Sequence, residues 1–484
     1  MVRRLIKMNG LQIAQKLIPK INFTKAIQDE LLNRDYQSLF STCDYLHLPT
    51  GHDFNDYKLK ADEKKLQSRF ELFRESVQSL CIFQLKIIRV FLWTAKNALV
   101  SPTETNNEAI IIKGLGYQQL NPNIPFEEVF ESIPSVVFHS LNREAVKPIL
   151  VHSGELEMSE QVSQVKSVFF ALLISLKPNV INFLKFFVQS QLLFILALFS
   201  EKMRKLENGI PEALLFTNFQ TRFKYFSVLD TQSSFLNLDL FYYATNQNIN
   251  VRTYLVHYSE SGMPLLSSQD FFNEVIPGYE RAEVDIHIVW TKEFANFYNS
   301  RSSTPNFIAL GPQVFRERVM EKKREISDEI VLAVFDETPS FHDEFYTHIR
   351  EEAGLNFLAA IECLSKEFNA KNGKKLKIHL KQKRRNLKFH SRQYLEKLEE
   401  MNSKGQIKLL PWHTNPYLMI SSSDLVLSVL GSSPALIGRY LSRPTVYGYF
   451  GDGTIAPPII DYGIPVLRNT NQLLIWIHNY SQSQ

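Results

Sequence analysis

Residues 422–451 read SSDLVLSVLGSSPALIGRYLSRPTVYGYFG, and this stretch decides the fold. An apolar run over 425–430 is typical of a buried strand, and it ends at a Gly-Ser-Ser-Pro turn before a helical segment. Such a turn presents free backbone N–H groups at the positive end of the helix dipole. The stretch predicts a site for a phosphate-bearing ligand at Gly431, Ser432 and Ser433, with an ordinary strand-to-helix connection as the alternative.

Strands and helices alternate outward from this stretch. Strands are predicted at 330–335, 376–380, 407–410, 425–429 and 445–450, and helices at 344–369 and 392–402. Further upstream, strands are predicted at 213–217, 251–256 and 286–290, with a helix at 235–246 and short β-like runs at 110–112 and 136–139. This alternation predicts an α/β protein with parallel, doubly wound sheets, whose ligands bind beyond the carboxyl ends of the strands.

A Ser-, Asn- and Pro-containing segment, 299–313, is predicted to be the linker between two α/β halves. The predicted division is a mostly helical region at 1–208, a Rossmann-like part of the first half at 209–310, a second Rossmann-like half at 311–470 and a C-terminal helix or tail at 471–484. Whether 1–208 is a separate helical domain or an elaboration of the first half is left open by the sequence.

Composition excludes several classes of protein. The 484 residues are 44% hydrophobic and 21% charged, as in a folded globular protein, and a net charge of +4 does not favour a nucleic-acid partner. The three cysteines, Cys43, Cys81 and Cys363, have no metal-ligand spacing and predict thiols packed in the core of a cytoplasmic protein. No secretory signal is recognisable at the N-terminus.

The most hydrophobic segment spans 168–200. Its longest uncharged run, at 186–200, has about 15 residues, whereas a membrane span needs roughly 20. Two apolar helices are therefore predicted, with burial favoured over a position on the surface of a bilayer. Peripheral contact with the inner membrane stays open as the alternative.

A second candidate site follows the predicted strand at 376–380, where residues 378–385 read IHLKQKRR. His379 and Lys381 share one face of this strand, and Lys383, Arg384 and Arg385 follow it. These cations suit phosphate oxygens, although a solvated basic loop is the alternative for the last three. Pro411 and Trp412 lie in a loop predicted to contact a nucleobase by its backbone, with simple packing as the alternative for Trp412.

The second half of the chain resembles the GT-B glycosyltransferases of capsule and surface-polysaccharide biosynthesis, which include enzymes that use CMP-activated Kdo or nonulosonic (sialic-like) acids. The resemblance covers 211–467 as an order of motifs: strand, His and basic loop, then Pro-Tyr-Leu, Ser-Asp-Leu-Val-Leu-Ser, Ser-Ser-Pro and Arg-Pro-Thr-Val-Tyr. It implies two Rossmann-like domains that face a cleft. In the CMP-sugar members a His-Pro and a Ser-Ser motif hold the phosphate. His379 matches only the histidine, since Leu380 replaces proline.

The resemblance also implies roles for other residues. Ser432 and Ser433 match the Ser-Ser motif, and PALIGRY, after the turn, lacks the acidic residue that holds ribose in many GT-B enzymes. That departure favours a CMP donor over a UDP donor, with His379 and the two serines holding one phosphoryl group. The first half is expected to bind a glycan or lipid-linked glycan acceptor, without a cofactor or a bound metal.

The catalytic base is expected among four residues that follow predicted strands: His257, Glu260, Asp336 and Glu337. A helix cap or a turn acid is the alternative for each of them. The function expected overall is transfer of a sugar from a nucleotide donor to a surface glycan. A CDP-polyol phosphotransferase, a UDP-sugar 2-epimerase and a non-catalytic, membrane-associated capsule scaffold are the alternatives.

Overall fold

The structure is a computed structural model. It describes residues 10–23, 25–26, 69–97, 105–113, 146–151, 163–165, 167–199, 203, 206, 209–231, 240–244, 250–260, 284–300, 306–313, 329–337, 351–371, 375–383, 391–451 and 460–483.

The first half of the described chain is built on one parallel sheet. Its strands are β1 (Thr105–Lys113), β2 (Val146–Val151), β3 (Ser163–Val165), β4 (Phe223–Thr231), β5 (Asn250–Val256), β6 (Ile286–Val289) and β7 (Asn306–Ala309). Its helices are α1 (Gly10–Leu17), α2 (Arg69–Asn97), α3 (Val168–Ser175), α4 (Val180–Phe199), α5 (Ile210–Asn218) and α6 (Lys292–Asn299). The strand order is β3-β2-β1-β4-β5-β6-β7, and all pairs are parallel.

The second half repeats this plan. Its strands are β8 (Glu329–Phe335), β9 (Lys375–Lys381), β10 (Lys408–Leu410), β11 (Leu425–Val429), β12 (Thr445–Gly448) and β13 (Val466–Leu467). Its helices are α7 (Glu351–Lys371), α8 (Arg392–Ser403), α9 (Pro416–Ser421), α10 (Pro434–Tyr440) and α11 (Thr470–Ser483). The strand order, β10-β9-β8-β11-β12-β13, is that of a doubly wound dinucleotide-binding sheet. The predicted α/β class with two parallel, Rossmann-like halves is confirmed.

Apolar packing explains the order of the layers. Every residue of β11 is buried, as expected of a central parallel strand covered on both faces. One face of the second sheet packs against α7, α8 and α11 through Leu364, Leu398 and Leu473. On the other face, Val426 belongs to a cluster with Trp290 of the first half. The first half therefore meets the second on this face of the second sheet, through a shared apolar cluster.

Two predicted elements in the first half are wrong. The predicted strand 213–217 lies in helix α5, because Pro211 occupies the first turn, where its missing N–H costs nothing. A run that is buried on all sides has no period by which a helix can be told from a strand. The predicted linker 299–313 contains β7, which pairs with β6. Within the predicted helix 235–246, the described residues form a 3-10 turn at Leu240–Tyr243.

The region before residue 208 is part of the first sheet. It supplies β1, β2 and β3, and β1 pairs with β4 near the centre of that sheet. The structure thus favours the second alternative for this region, an elaboration of the first half. Two apolar helices, α3 and α4, lie where they were predicted, whereas the β-like run at 136–139 lies outside the described residues.

The cysteine prediction is wrong for a described thiol. Cys81 is exposed on α2, and Cys363 is half-buried on α7. Cys43 lies outside the described residues.

Candidate functional site

The candidate site lies where the strand order of the second sheet reverses, between β8 and β11. The connections that follow these two neighbouring strands run in opposite directions, which opens a crevice beyond the carboxyl ends of the strands. Ligands of doubly wound sheets bind in this crevice. A recess occupies this position. We call it the switch-point recess, and it is lined by Asp336, Glu337, Ala353, Gly354, Phe357, Tyr394, Val429, Gly448, Tyr449 and Phe450.

Asp336 joins three elements at the wall of the recess. Its Oδ1 accepts a hydrogen bond from the Lys383 backbone N–H at 2.7 Å, beyond the end of β9. Its Oδ2 accepts one from the Tyr394 hydroxyl of α8 at 2.8 Å. Burial, followed by the charge of Asp336, raises the pKa of Tyr394 well above its usual value, so the phenol remains a donor. Asp336 is thus placed to fix the geometry of the recess.

Asp336 and Glu337 are the charged residues that line the recess, and two lysines lie beside these carboxylates. The Glu337 carboxylate forms an ion pair with the Lys383 ammonium, and the Lys383 side chain remains nearly half exposed. Lys381 lies on β9 with its Nζ donating to the Gln382 carbonyl at 3.1 Å. Burial lowers the pKa of Lys381 to about 8, and the Asp336 and Glu337 carboxylates oppose that shift. Two cations and two carboxylates therefore meet at the ends of β8 and β9.

The prediction that His379, Ser432 and Ser433 hold one phosphoryl group is wrong. His379 pairs with Ala333 of β8, and Ala333 pairs with Val426 of β11. His379 is thus two strands away from β11, roughly 10 Å across the sheet, and level with a residue six positions before Ser432. Its half-buried ring lies between the charges of Lys408 and Lys377, and burial followed by these charges lowers its pKa.

The anion site predicted at the Gly-Ser-Ser-Pro turn stays a prediction, although several of its hydrogen-bonding groups have partners within the protein. The backbone N–H groups of Ser432, Ala435 and Leu436 donate to carbonyls within the turn. Ser432 is buried, and the Ser433 hydroxyl donates to the Glu260 carbonyl at 2.8 Å. Gly431 holds φ at +76°, a conformation that favours glycine. Through the Ser433 hydroxyl the turn also joins the two halves.

Two predicted catalytic residues, His257 and Glu260, do not face the cleft. His257 is fully buried, its Nε2 lies 3.0 Å from Nδ1 of His287, and burial lowers its pKa to about 3. The Glu260 carboxyl accepts hydrogen bonds from the backbone N–H groups of Trp290 and Thr291. It therefore supports the start of α6, where Thr291 is the N-cap. Glu260 thus has the alternative role that was stated for it, at a helix cap, whereas His257 is a buried residue of the first half.

The remaining predicted contacts lie away from the recess. Pro411 and Trp412 follow β10, the edge strand, and the Trp412 ring packs edge-on against His413 with ring centroids 5.5 Å apart. Arg384 and Arg385 lie outside the described residues. Among the residues that the structure describes, no group of three or more His, Cys, Asp or Glu side chains could hold a metal ion. The absence of a metal from the reaction stays a prediction.

Tyr394 and Gly448 are contributors that sequence reasoning missed. A Cβ at Gly448 would lie 2.9 Å from the Phe450 ring, 3.0 Å from the Phe357 ring and 3.1 Å from Leu427, so side chains of the recess would have to shift to admit it. The only available signal was a glycine within the apolar run 445–450. Tyr394 gave none, since a tyrosine three residues after a Ser N-cap is ordinary in a helix.

Comparison with known proteins places the chain in a family. Residues 212–477, more than half of the chain, match the model of the polysaccharide biosynthesis PFTS motif proteins. The chain belongs to this family. The matched residues include β4 to β13 and both walls of the switch-point recess. No curated protein matches the chain.

Solved structures resemble this PFTS motif protein only distantly. The wall teichoic acid polymerase TagF matches with 12% identity and a TM-score of 0.40, over 82% of this chain and 89% of TagF. HepE from Anabaena, solved with UDP and glucose, matches with 9% identity and a TM-score of 0.36, over 77% and 89%. TarM from S. aureus, solved with UDP, matches with 12% identity and a TM-score of 0.32, and the chain covers 48% of TarM. Such values do not transfer a substrate to this chain.

Proposed function

We propose that this protein is a glycosyltransferase that moves a sugar from a nucleotide donor to a glycan or lipid-linked glycan during surface-polysaccharide synthesis. The observation that carries the proposal is a charged recess at the switch point of the second sheet in a member of a polysaccharide-biosynthesis family. A donor phosphate there would lie at the carboxyl ends of β8 and β9, within reach of Lys381 and Lys383. The reaction needs no cofactor in this proposal.

The preferred donor is a CMP-linked nonulosonic acid or Kdo. Its support is the sequence PALIGRY, which forms α10 and carries no acidic side chain to hold the ribose of a UDP-sugar. In the transfer, the acceptor hydroxyl oxygen bonds to the anomeric carbon while the bond from that carbon to the donor phosphate oxygen breaks. CMP leaves with the bonding electrons, and a base accepts the hydroxyl proton.

Glu337 is the best-placed base of the four residues considered. It lines the recess, whereas His257 and Glu260 are buried elsewhere and both Asp336 oxygens accept hydrogen bonds. Its ion pair with Lys383 also suggests how the donor is received, because an arriving phosphate competes with Glu337 for the same ammonium. Binding and proton removal would then be coupled at one pair of side chains.

Nucleotide binding tests the donor. We expect CMP to raise the melting temperature of the protein more than UDP or GDP does, and we expect Lys383→Ala to reduce this shift. His379→Ala is the matched control, because His379 lies on β9 in the same sheet but does not line the recess. A larger shift with UDP or GDP would overturn the choice of CMP.

Turnover separates the proposed transfer from its alternatives. We expect release of CMP from a CMP-sugar only when an acceptor is present, and we expect Glu337→Gln to bind CMP at least as tightly as wild type while losing most of the turnover. Consumption of a CDP-polyol with transfer of a phosphodiester would support the phosphotransferase. Conversion of a free UDP-sugar without an acceptor would support the 2-epimerase, and normal polysaccharide from a strain carrying Lys383→Ala would support a scaffold.

A further inference from the structure

We propose that the paired helices α2 and α4 dock the first half of the protein on the surface of an anionic lipid bilayer. Both helices carry large apolar side chains on their outer faces. On α4 these include Val180, Ile181, Leu184, Val188 and Phe199, which are 55–85% exposed. On α2 they include Leu85, Ile88, Phe91 and Leu92, which are 51–58% exposed.

The exposed residues of α4 form one continuous face. The buried residues Phe183, Phe186, Ser190, Leu193 and Ala197 recur at helical spacing and hold the opposite face against the domain. A helix that is hydrophobic all round is normally enclosed by protein or lipid. By length and composition α4 is also the described helix that could cross a membrane, with 28% of its most apolar window buried. Because one face is packed on protein, lying in the surface of the bilayer satisfies the other face without unpacking the domain.

The two outer faces adjoin. Phe83 of α2 lies beside Phe194 of α4, with ring centroids 5.6 Å apart, and Phe91 lies at the same distance from Phe183. The amides of Gln84 and Gln191 hydrogen-bond between these contacts. The helices are therefore antiparallel and in side-by-side contact, and their exposed side chains make one patch. Soluble monomers rarely leave a patch of this extent open to water.

The charges around the patch indicate that it binds an anionic surface. Residues 81–97 and 168–199 contain five basic residues, namely Lys86, Arg89, Lys96, Lys177 and Lys185, and no Asp or Glu. Lys86 is ion-paired with Glu212 of α5, which leaves the other four as candidates for contact with headgroups. Lys96 and Lys185 are exposed. A protein partner would need an apolar surface with matching acidic groups, whereas anionic lipid headgroups above acyl chains supply both properties. The inference does not depend on the donor or on the reaction proposed above.

Vesicle flotation of the full-length protein tests the proposal. The wild-type protein is expected to float with vesicles of phosphatidylcholine and phosphatidylglycerol, and more weakly with phosphatidylcholine alone. For the triple variant Ile181→Gln, Leu184→Gln and Val188→Gln, the fraction of protein bound to vesicles should fall by about tenfold or more, since three apolar side chains are removed from the contact. The variant Lys96→Glu with Lys185→Glu should lose the preference for the anionic vesicles.

A matched control and two contrary outcomes make the test decisive. Ile475→Gln changes an isoleucine that is 60% exposed on α11 in the second half, and this variant should float like the wild type. Circular dichroism melting of the triple variant shows whether its fold is kept. Equal flotation of the folded triple variant and the wild type would overturn the proposal. So would a wild-type dimer that the triple substitution converts to a monomer, because a second copy would then cover the patch.

Discussion

At the scale of single residues, Asp336 shows how one buried carboxylate can organise a site. It accepts from Lys383 and Tyr394 and follows β8 directly, so it fixes the ends of two strands and a helix at once. The sequence could predict that Asp336 and Glu337 follow a strand. It could not reveal that Tyr394 would arrive from α8, 58 residues later, because that contact exists only after the helix has packed.

Replacing Asp336 by Asn is expected to lower the free energy of unfolding by about 2 kcal/mol, since one of two buried donors then loses its acceptor. Urea unfolding measures this effect. The loss in the double variant with Tyr394→Phe should be smaller than the sum of the two single losses, because the two residues share one interaction. Tyr440→Phe, at an exposed tyrosine, is the control. Additive losses would contradict the predicted link.

Glu260 should make stability depend on pH. Burial raises the pKa of its carboxyl from 4.5 to about 8, against the effect of hydrogen bonds from Trp290 and Thr291. The folded protein then binds the proton more tightly than the unfolded chain, so stability falls as pH rises from about 5 to about 8. Urea unfolding across this range should show the fall in the wild type and a flatter profile in Glu260→Gln. Glu293→Gln, at a half-buried carboxylate of α6, is the control, and parallel curves for wild type and Glu260→Gln would refute the prediction.

At the scale of elements, the sequence predicted strands best where an apolar run had polar boundaries. The predicted strand 425–429 coincides with β11, and 376–380 lies within β9. The sequence wrongly predicted a strand within helix α5, where every residue from Ile210 to Thr217 is buried. Burial on all sides removes the amphipathic period by which a helix is recognised. The sequence prediction also missed β4, whose Ser227 and Asp230 are polar yet buried.

The end of β12 gives a prediction about the switch-point recess. Gly448→Ala should lower the free energy of unfolding by about 1–3 kcal/mol and weaken the CMP-dependent thermal shift, since the new methyl group meets the Phe450 and Phe357 rings, which both line the recess. Gly451→Ala is the matched control. Its Cβ would meet the hydroxyl end of Tyr449, 3.1 Å away, and that end can move. Equal unfolding curves for Gly448→Ala and Gly451→Ala would contradict the close packing of β12 and α7.

At the scale of the whole molecule, two α/β halves meet through side chains that are far apart in sequence. Arg439 of α10 forms an ion pair with Glu293 of α6, and Ser433 reaches the Glu260 carbonyl. The alternation of strands and helices predicted two such halves. It could not predict that the Gly-Ser-Ser-Pro turn would be used between them, because a turn that binds phosphate and a turn that binds another domain have the same local sequence.

Gly311 tests how closely the halves approach. It lies just after β7 with φ at +84°, and a Cβ there would overlap the Tyr440 ring of α10. Gly405 has a similar φ, +68°, and a Cβ added to it would have no atom within 4 Å, so Gly405→Ala reports backbone strain alone. Gly311→Ala should cost about 1–2 kcal/mol more than Gly405→Ala in urea unfolding. Adding Tyr440→Ala should recover part of the difference, and equal losses in Gly311→Ala and Gly405→Ala would refute the close approach.

The position of β1 limits where the protein can be truncated. The family match begins at residue 212, whereas β1, formed by Thr105–Lys113, hydrogen-bonds along β4. A fragment that starts at residue 212 would leave β4 as an exposed edge strand with unpaired backbone groups and an apolar surface. Other chains can pair with such an edge, which leads to aggregation. Expression of 209–484 should therefore give insoluble protein, while full-length protein stays in solution. A monodisperse, cooperatively melting fragment would show that the upstream strands are dispensable.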